Sequence, residues 1–411
     1  MGGRVHRSAK VRRARRIAPI RSAHPWGTPP WRIDFRPTER ELPELVDFAI
    51  VGGGFSGLSA AAWLRRLAPG RSVIVLESAS LGEGASGRTG GMALAETAAG
   101  KLPGLGNVLT GYRRILRALG IDSRLTLQSV WELGRSGGAK NSPISWSDSG
   151  ELKAVRRVPG GTVDPGKVVA GLARAAENEG AQIVENAEVR GLDFSRPARL
   201  QVRYKVRGCI RRKEIRAEHV LLATNAFSLE MSGLREAAEP KLTFALATAP
   251  LSAAQLKAIG LSSRRPFYTV DYPYLWGRLL EANGVIFGAG LVPAPIGWPI
   301  GGGGRSHWSN NGRRDLRRFD VRRGESAERL CWLEGRVRKL HPALGAVRIT
   351  HRWGGPILLT EGMRPIFRRH PLSKRVMVLG GYCGHGVALS VYLGKWAAEA
   401  LLGRRALPSW R

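Results

Sequence analysis

A glycine-rich turn after residue 51 carries the strongest chemical signal in this sequence of 411 residues. Its letters GGGFSG fit the pattern G-x-G-x-x-G, which binds the pyrophosphate of a dinucleotide when it follows a strand and opens a helix. The first glycine permits a tight turn, the second lets phosphate approach the backbone, and the third allows the helix to pack on the strand. We assign the following residues to this loop: Gly52, Gly54, Phe55, Ser56 and Gly57.

An acidic residue follows the loop at the spacing that this fingerprint needs. Glu77 ends a second apolar run, 20 residues after Gly57. A carboxylate at that position accepts hydrogen bonds from the ribose hydroxyls of an adenosine, and its charge disfavours the 2′-phosphate of NADP. The fingerprint alone leaves NAD and FAD open.

The pattern of apolar residues supplies the elements that must position this loop. Residues 46–51, 72–77, 219–224 and 376–379 predict buried strands, and residues 58–67 and 387–402 predict buried helices. Residues 242–290 change to short alternating runs with a hairpin turn at Asn283 and Gly284, which predicts an antiparallel sheet in a second domain.

Four segments resemble the FAD-dependent amine and amino-acid oxidases of the D-amino-acid oxidase, glycine oxidase and sarcosine oxidase type. The similarity is greatest to the γ-glutamylputrescine-oxidase-like branch. Thr89 and Cys383 stand where that family usually has Asn and Ser. The segments are VDFAIVGGGFSGLSAAAWL (46–64), GASGRTGG (84–91), LLATNAF (221–227) and GGYCGHGVALSVYLGKWAAEAL (380–401).

This resemblance implies FAD as the cofactor, bound in an extended form. It places residues 84–91 along the ribityl chain, and residues 223–225 with the backbone of Val189 beside the adenine. Backbone N–H groups of the 84–91 loop would form an anion cradle, with Arg88 neutralising the pyrophosphate; the alternative is a solvent loop with an exposed arginine. The further cofactor-binding candidates are Ser86, Gly87, Arg88, Thr89, Gly90, Gly91, Val189, Ala223, Thr224, Asn225, Gly381, Tyr382, Gly384, His385 and Gly386.

The turn at residues 384–386 precedes the last predicted helix, which the resemblance directs at the flavin. A helix N-terminus stabilises the negative charge that two-electron reduction places at flavin N1 and the C2 carbonyl. His385 would donate to a flavin carbonyl or shape the pocket. The alternative is a histidine that caps the turn and has no catalytic part.

Aromatic and basic side chains on the second predicted domain are candidates for the substrate side. Strand alternation predicts that Tyr272, Tyr274, Trp276 and Arg278 share one face. Aromatic rings there would hold an amine, and Arg278 would bind a carboxylate bidentately; core and surface roles are an equal alternative. The candidate catalytic residues are His385, Tyr272, Arg278 and Trp353, the last as a wall of the active site.

The charge of the chain is unusual, because 65 basic and 32 acidic residues give +33. Such a surface attracts nucleic acid and other polyanions, although abundant Arg, Ala and Gly also follow from GC-rich codon usage, which we favour. Three widely spaced cysteines exclude a disulfide framework and a cysteine-rich zinc site, so no metal is expected. No apolar run suits a membrane span or a secretory signal, and we expect a cytoplasmic protein.

We therefore predict a combined α/β and α+β fold in two domains. An FAD/NAD(P)-binding Rossmann-like domain would comprise residues 45–100, 160–230 and 350–411. A substrate domain with an antiparallel sheet would comprise residues 101–159 and 231–349. A basic extension rich in Pro and Trp occupies residues 1–44, disordered to about residue 20 and then extended on the body, and residues 293–312 predict a flexible loop.

The reaction that the resemblance implies is oxidation of a C–N bond in a small amine or amino acid. A hydride passes to flavin N5, the resulting imine hydrolyses, and oxygen or another acceptor takes the electrons. Two alternatives remain: the same fold acting on a modified tRNA base, and a non-catalytic flavoprotein that binds polyanions through its positive charge.

Overall fold

The computed structural model describes residues 24–138, 140–289 and 320–410, which form 18 strands and six α-helices. The predictions for residues 1–20 and 293–312 lie outside these ranges. The strands are β1 (Leu45–Val51), β2 (Val73–Leu76), β3 (Met92–Leu94), β4 (Val130–Gly134), β5 (Ser145–Ser147), β6 (Glu151–Val158), β7 (Gly160–Thr162), β8 (Gln182–Val184), β9 (Ala187–Asp193), β10 (Ala198–Val206), β11 (Cys209–Leu222), β12 (Ala238–Thr248), β13 (Phe267–Thr269), β14 (Trp276–Leu279), β15 (Val285–Ala289), β16 (Ile349–Thr360), β17 (Ile366–His370) and β18 (Ser373–Gly380). The helices are α1 (Phe55–Leu67), α2 (Val108–Ala118), α3 (Pro165–Asn178), α4 (Ala253–Ala258), α5 (Gly324–Leu340) and α6 (Gly386–Leu401), and short 3-10 turns cover Pro342–Leu344 and Glu361–Met363.

The first sheet has the strand order β17-β18-β11-β1-β2-β8, with β10 and β9 continuing from β11. Its centre is parallel, since β1 pairs in parallel with β2 and β11, and β11 with β18. Helices α1, α3 and α6 pack with Ile50 of β1 on one face, while Ala49 and Val51 join the cluster built with β9–β11 on the other. Burial on both faces explains why β1 and β2 are continuous apolar runs.

The second sheet has the order β16-β12-β15-β14-β13-β4-β6-β5 and is antiparallel except where β13 and β4 pair in parallel. Helix α5 packs against one face and closes a separate apolar core. The predicted combination of a Rossmann-like sheet with an antiparallel sheet is confirmed. The expected boundary at residue 350 falls inside this sheet, because β16 pairs with β12 from Ile349 to Thr360, and the chain returns to the first sheet only at β17.

Cross-strand register in the second sheet sets four side chains in one row. Tyr268 on β13 is directly opposite Trp276 on β14 and Glu132 on β4, and Glu132 is opposite Arg156 on β6. Residues paired in this way project to the same face of a sheet. This row therefore lies on the face that borders the site described below.

An extended N-terminal segment, residues 24–35, ties the two sheets together. The Trp26 carbonyl accepts the N–H of Gly354 on β16 at 2.9 Å, and the buried Trp31 indole donates to the Gly87 carbonyl at 2.7 Å. Because Gly87 belongs to the 84–91 loop, the segment fastens that loop against the second sheet. Within the described ranges, the structure contains no helix of the length and apolarity that a bilayer crossing requires.

Candidate flavin site

A cavity of about 830 Å³ lies between the two sheets. Its volume is at the upper end of the usual range for small-molecule and cofactor sites, roughly 300–1,000 Å³. The carboxyl ends of β1, β2 and β11 open into it, which is the usual ligand position in open α/β sheets. The second sheet contributes residues from β13, β14 and β16 to the opposite side.

The glycine loop after β1 has the geometry that the fingerprint predicts. Gly52 has a φ of 112°, which favours glycine, and a Cβ on Gly57 would lie 2.0 Å from the Gly52 carbonyl oxygen. Helix α1 then begins at Phe55 with no cap from its N-cap residue Gly54 and no acidic residue in its first turn. The Phe55 N–H donates to the Ser86 hydroxyl at 2.9 Å, which leaves that hydroxyl's proton available to a ligand. The positive end of α1 therefore faces the cavity.

Glu77 lies beside this loop, at the end of β2. Its carboxylate accepts the N–H groups of Gly53 at 2.8 Å and Ala79 at 3.0 Å, and it lines the cavity. Burial raises the pKa of this carboxyl above its usual value, although the backbone hydrogen bonds oppose the shift. Val189, Ala223, Thr224 and Asn225 line the same part of the cavity. The structure therefore brings together the residues predicted for the adenosine end, and their contact with adenosine stays a prediction.

The structure gives Arg88 a different role from the predicted one. Its buried guanidinium donates to the Glu83 carboxylate at 2.7 Å and to the Gly27 carbonyl at 3.0 Å, and it contacts the His24 ring. Glu83 already neutralises this charge, so Arg88 is not a free counter-ion for a pyrophosphate. It instead fastens the 84–91 loop to the N-terminal segment. In that loop Ser86, Arg88, Thr89 and Gly90 line the cavity, whereas Gly87 and Gly91 lie behind it.

A second helix begins at the cavity on the other side. The N-cap of α6 is His385, which makes no side-chain cap, and the first turn contains no acidic residue. Burial lowers the pKa of His385, so its imidazole is neutral at pH 7. Tyr382, Gly384, His385 and Gly386 line the cavity, while Gly381 lies behind it and donates its N–H to Asn225 Oδ1 at 2.9 Å.

One polar atom of α6 lacks a partner within the described protein. The hydroxyl of Ser390, in the second turn of α6, is buried, lines the cavity and makes no hydrogen bond. Buried polar groups are nearly always satisfied, so this hydroxyl is available to a polar group of a ligand in the cavity. The two uncapped helix N-termini, the Glu77 carboxylate and the Ser390 hydroxyl together fit an elongated ligand with phosphates at one end and an electron-rich group at the other.

The structure places three of the four candidate catalytic side chains outside the cavity lining. Arg278 is buried behind the loop, where it donates to the Gly90 and Leu279 carbonyls and lies 5.8 Å from the Trp31 ring; burial lowers its pKa to about 10. Tyr272 is 53% exposed in the turn before β14. Trp353 is buried against Trp31, and its indole donates to the Arg88 carbonyl. Only His385 of this set borders the cavity.

Trp276 and Arg278 project from the same face of the sheet, as predicted, because both lie on β14. It fails for Tyr272 because residues 270–275 form a turn and not a strand. Tyr274 and Trp276 line the cavity together with Tyr268. Sequence reasoning missed Glu132, whose buried carboxylate accepts the Tyr268 hydroxyl proton; a lone acid within the apolar run of β4 was the available signal.

Comparison with known protein families identifies the class. The chain matches the FAD dependent oxidoreductase family, DAO, over residues 47–400, and it belongs to that family. The protein is therefore an FAD-dependent oxidoreductase, and the predictions of family, enzyme class and FAD are confirmed.

Individual proteins are similar along most of the chain. A probable oxidoreductase OrdL of Haemophilus influenzae is 28% identical, over 90% of this chain and 87% of the relative. Gamma-glutamylputrescine oxidoreductase of Escherichia coli is 24% identical, over 87% of this chain and 84% of the relative. The crystal structure of glycine oxidase from Geobacillus kaustophilus shares the fold, with a TM-score of 0.64 and 19% identity over 89% of this chain and 96% of the other.

Proposed function

We propose that this flavoprotein oxidises the C–N single bond of a small amine or amino acid. The main support is that two helix N-termini, whose N-cap residues make no side-chain cap, border the same cavity as the Glu77 carboxylate. This cavity continues to aromatic side chains of the second sheet. Two similar proteins support the substrate class by name, since one is an oxidoreductase of gamma-glutamylputrescine and the other is an oxidase of glycine.

The proposed reaction removes two electrons from the substrate. The C–H bond on the carbon that bears nitrogen breaks, the nitrogen lone pair forms a C=N bond, and water hydrolyses this imine to a carbonyl compound and an amine or ammonia. Bound FAD supplies the acceptor for the hydride, and oxygen or another acceptor then takes the two electrons.

The side chains of this protein bind and orient in that reaction. Glu77 and the N-terminus of α1 would hold the adenosine and pyrophosphate, with the Ser86 hydroxyl as a further donor. The N-terminus of α6 would stabilise negative charge at the reacting end. The cavity favours the uncharged amine, because burial disfavours an ammonium without a partner. Because the His385 imidazole is neutral, it does not repel the fraction of substrate amine that is still protonated.

An anaerobic titration of the purified holoenzyme tests this proposal. The yellow protein is mixed with primary amines, secondary amines and α-amino acids, and the flavin absorbance is followed. At least one class should bleach the flavin and yield a carbonyl product in equal amount. If none does, while dithionite still bleaches the same flavin, the proposal is wrong. Action on a tRNA base and polyanion binding remain predictions with no specific structural observation in their favour.

A further inference from the structure

The buried carboxylate of Glu132 lies behind the part of the cavity that Tyr268, Tyr274 and Trp276 line, which we call the aromatic end. The Tyr268 ring lines the cavity, and its hydroxyl donates to Glu132 Oε1 at 2.5 Å. The side chain of Glu132 is only 9% exposed, and Arg156 pairs with its other oxygen from the outer side. Tyr268, Glu132 and Arg156 occupy directly paired positions on β13, β4 and β6, so the sheet register brings the three side chains together.

The protonation of this pair fixes the direction of its hydrogen bond. Burial opposes ionisation of Glu132, but hydrogen bonds from Arg156 and Tyr268 outweigh it and lower the carboxyl pKa. Burial and the bond to Glu132 raise the pKa of Tyr268, so the phenol keeps its proton. Because that single proton is donated to Glu132, the Tyr268 oxygen can act only as an acceptor toward the cavity.

The charges around this end of the cavity are unfavourable for a substrate carboxylate. Among the described residues that line the cavity, Arg88 is the one arginine and there is no lysine, and Glu83 pairs with Arg88. Arg278 lies behind Gly90, outside the lining. The exposed Glu96 adds a negative charge that acts on both Tyr268 and His385.

We propose that Tyr268 accepts a hydrogen bond from the substrate amino group, that Glu132 is a positioning residue for Tyr268, and that the substrate is an amine without a carboxylate on its reacting carbon. This inference rests on the proposed function and narrows it from amines and amino acids to amines. An acceptor at Tyr268 binds an N–H of the neutral amine and leaves the nitrogen lone pair free to form the C=N bond. Among the described residues that line the cavity, a carboxylate on the same carbon would find no unpaired cation to offset its desolvation.

Matched pairs that differ only in the carboxylate test the substrate class. Butylamine is compared with norvaline, and putrescine with ornithine, by anaerobic rapid mixing with the holoenzyme. The dissociation constant and the limiting rate of flavin reduction are measured for each compound. The amines should reduce the flavin, and each amino acid should show at least about a hundredfold lower ratio of rate to dissociation constant, since an unpaired buried charge is strongly disfavoured.

Substitutions test the two named residues with butylamine. Tyr268→Phe should raise the dissociation constant about five- to tenfold, the scale of one lost hydrogen bond, and leave flavin content unchanged. Glu132→Gln keeps an acceptor for the phenol and should have a smaller effect than Glu132→Ala. In both Glu132 variants the dissociation constant should change more than the limiting rate. Tyr204→Phe is the matched control, because the Tyr204 hydroxyl likewise donates to a carboxylate, that of Glu41, at 2.8 Å, and Tyr204 lies outside the cavity lining. Its constants should stay within about twofold.

Two results would overturn the inference in distinguishable ways. If norvaline reduces the flavin as well as butylamine does, the proposed substrate class is wrong. The substrate carboxylate would then need a cation, and Arg364 is an exposed residue next to the lining residue Met363. Loss of the norvaline activity in Arg364→Ala would identify Arg364 as the carboxylate-binding group. If Tyr268→Phe and Tyr204→Phe behave alike, the role of Tyr268 is wrong. Failure of all four compounds and of the wider panel would instead remove the proposed function itself.

Discussion

The hydroxyls of Ser56 and Tyr382 lie 2.5 Å apart, although 326 positions separate them in the chain. Ser56 is in the first turn of α1, and Tyr382 belongs to the turn that leads into α6. This hydrogen bond therefore fixes the distance between the two helix N-termini that face the cavity. Ser56 and Tyr382 both line the cavity, so the same contact sets the width of the cavity between the two helices.

We predict that Tyr382→Phe lowers the free energy of unfolding by about 1 kcal/mol, the usual net contribution of one hydrogen bond. The phenol is partly buried, and its loss leaves the Ser56 hydroxyl without this partner. Urea denaturation of the apoprotein measures the change. Tyr392→Phe loses a comparable bond, to the Leu105 carbonyl at 2.7 Å, and serves as the control. The two variants should be similarly stable, but only Tyr382→Phe should alter the flavin absorbance spectrum; an unaltered spectrum would contradict the bridging role.

We predict that Glu77→Ala weakens FAD binding by about 1–3 kcal/mol, the scale for loss of a charged hydrogen-bond acceptor. Fluorescence titration of the apoprotein with FAD measures this change. Glu179→Ala, which alters an acid at the end of α3 away from the cavity, is the matched control. An unchanged dissociation constant in Glu77→Ala would remove this residue from the binding site.

The raised pKa of Glu77 also predicts a pH dependence of FAD affinity. Ribose hydroxyls donate to the ionised carboxylate, so the affinity should be constant at high pH and decrease as pH falls through the raised pKa of the apoprotein. The same titration, repeated from neutral pH downward, measures this. The decrease should be absent in Glu77→Gln; if it persists there, another group is responsible.

The Glu83 carboxylate links the flavin loop to the N-terminal segment, and we predict that Glu83→Gln destabilises the protein at neutral pH. Burial opposes ionisation of Glu83, but His24 and Arg88 outweigh it and lower the pKa below the usual 4.5. A depressed native pKa stabilises the fold above the unfolded-state value, and this stabilisation disappears as pH falls through the native pKa. The difference between wild type and Glu83→Gln, measured by urea denaturation, should therefore be largest above pH 4.5 and shrink below it. A difference that grows on acidification would contradict this sign.

The sequence predicted the local structure around the glycine loop because the determinants of that structure are local. The turn at Gly52, the start of α1 and the acid at Glu77 lie within one strand–helix–strand unit, where spacing alone fixes geometry. The last helix was recognised from its own motif for the same reason. Ser390, in the second turn of that helix, was not singled out, since only the folded structure shows that its hydroxyl has no hydrogen-bond partner among the described residues.

The differences between the predicted and observed positions of arginine and acidic side chains arise from contacts that the local sequence pattern does not show. Arg278 was expected at a substrate carboxylate, but the Gly90 carbonyl, 188 positions away, binds it beneath the loop. Arg88 was expected at the pyrophosphate, but Glu83 and the N-terminal segment bind it. Local patterns cannot show which partner a buried arginine finds. Glu132 was missed because its role depends on the register between β4 and β13.

Titration of the apoprotein with FAD, compared between wild type and Gly54→Asp, tests the assignment of the cavity most directly. The new side chain would begin 2.8 Å from the Ser86 hydroxyl and place a carboxylate at the positive end of α1. Gly70→Asp is the matched control, because no atom lies within 4 Å of a Cβ at that exposed turn. Wild type and Gly70→Asp should bind FAD alike, and Gly54→Asp should remain folded but bind none. Normal FAD binding by a folded Gly54→Asp protein would contradict the assignment of this cavity as the flavin site.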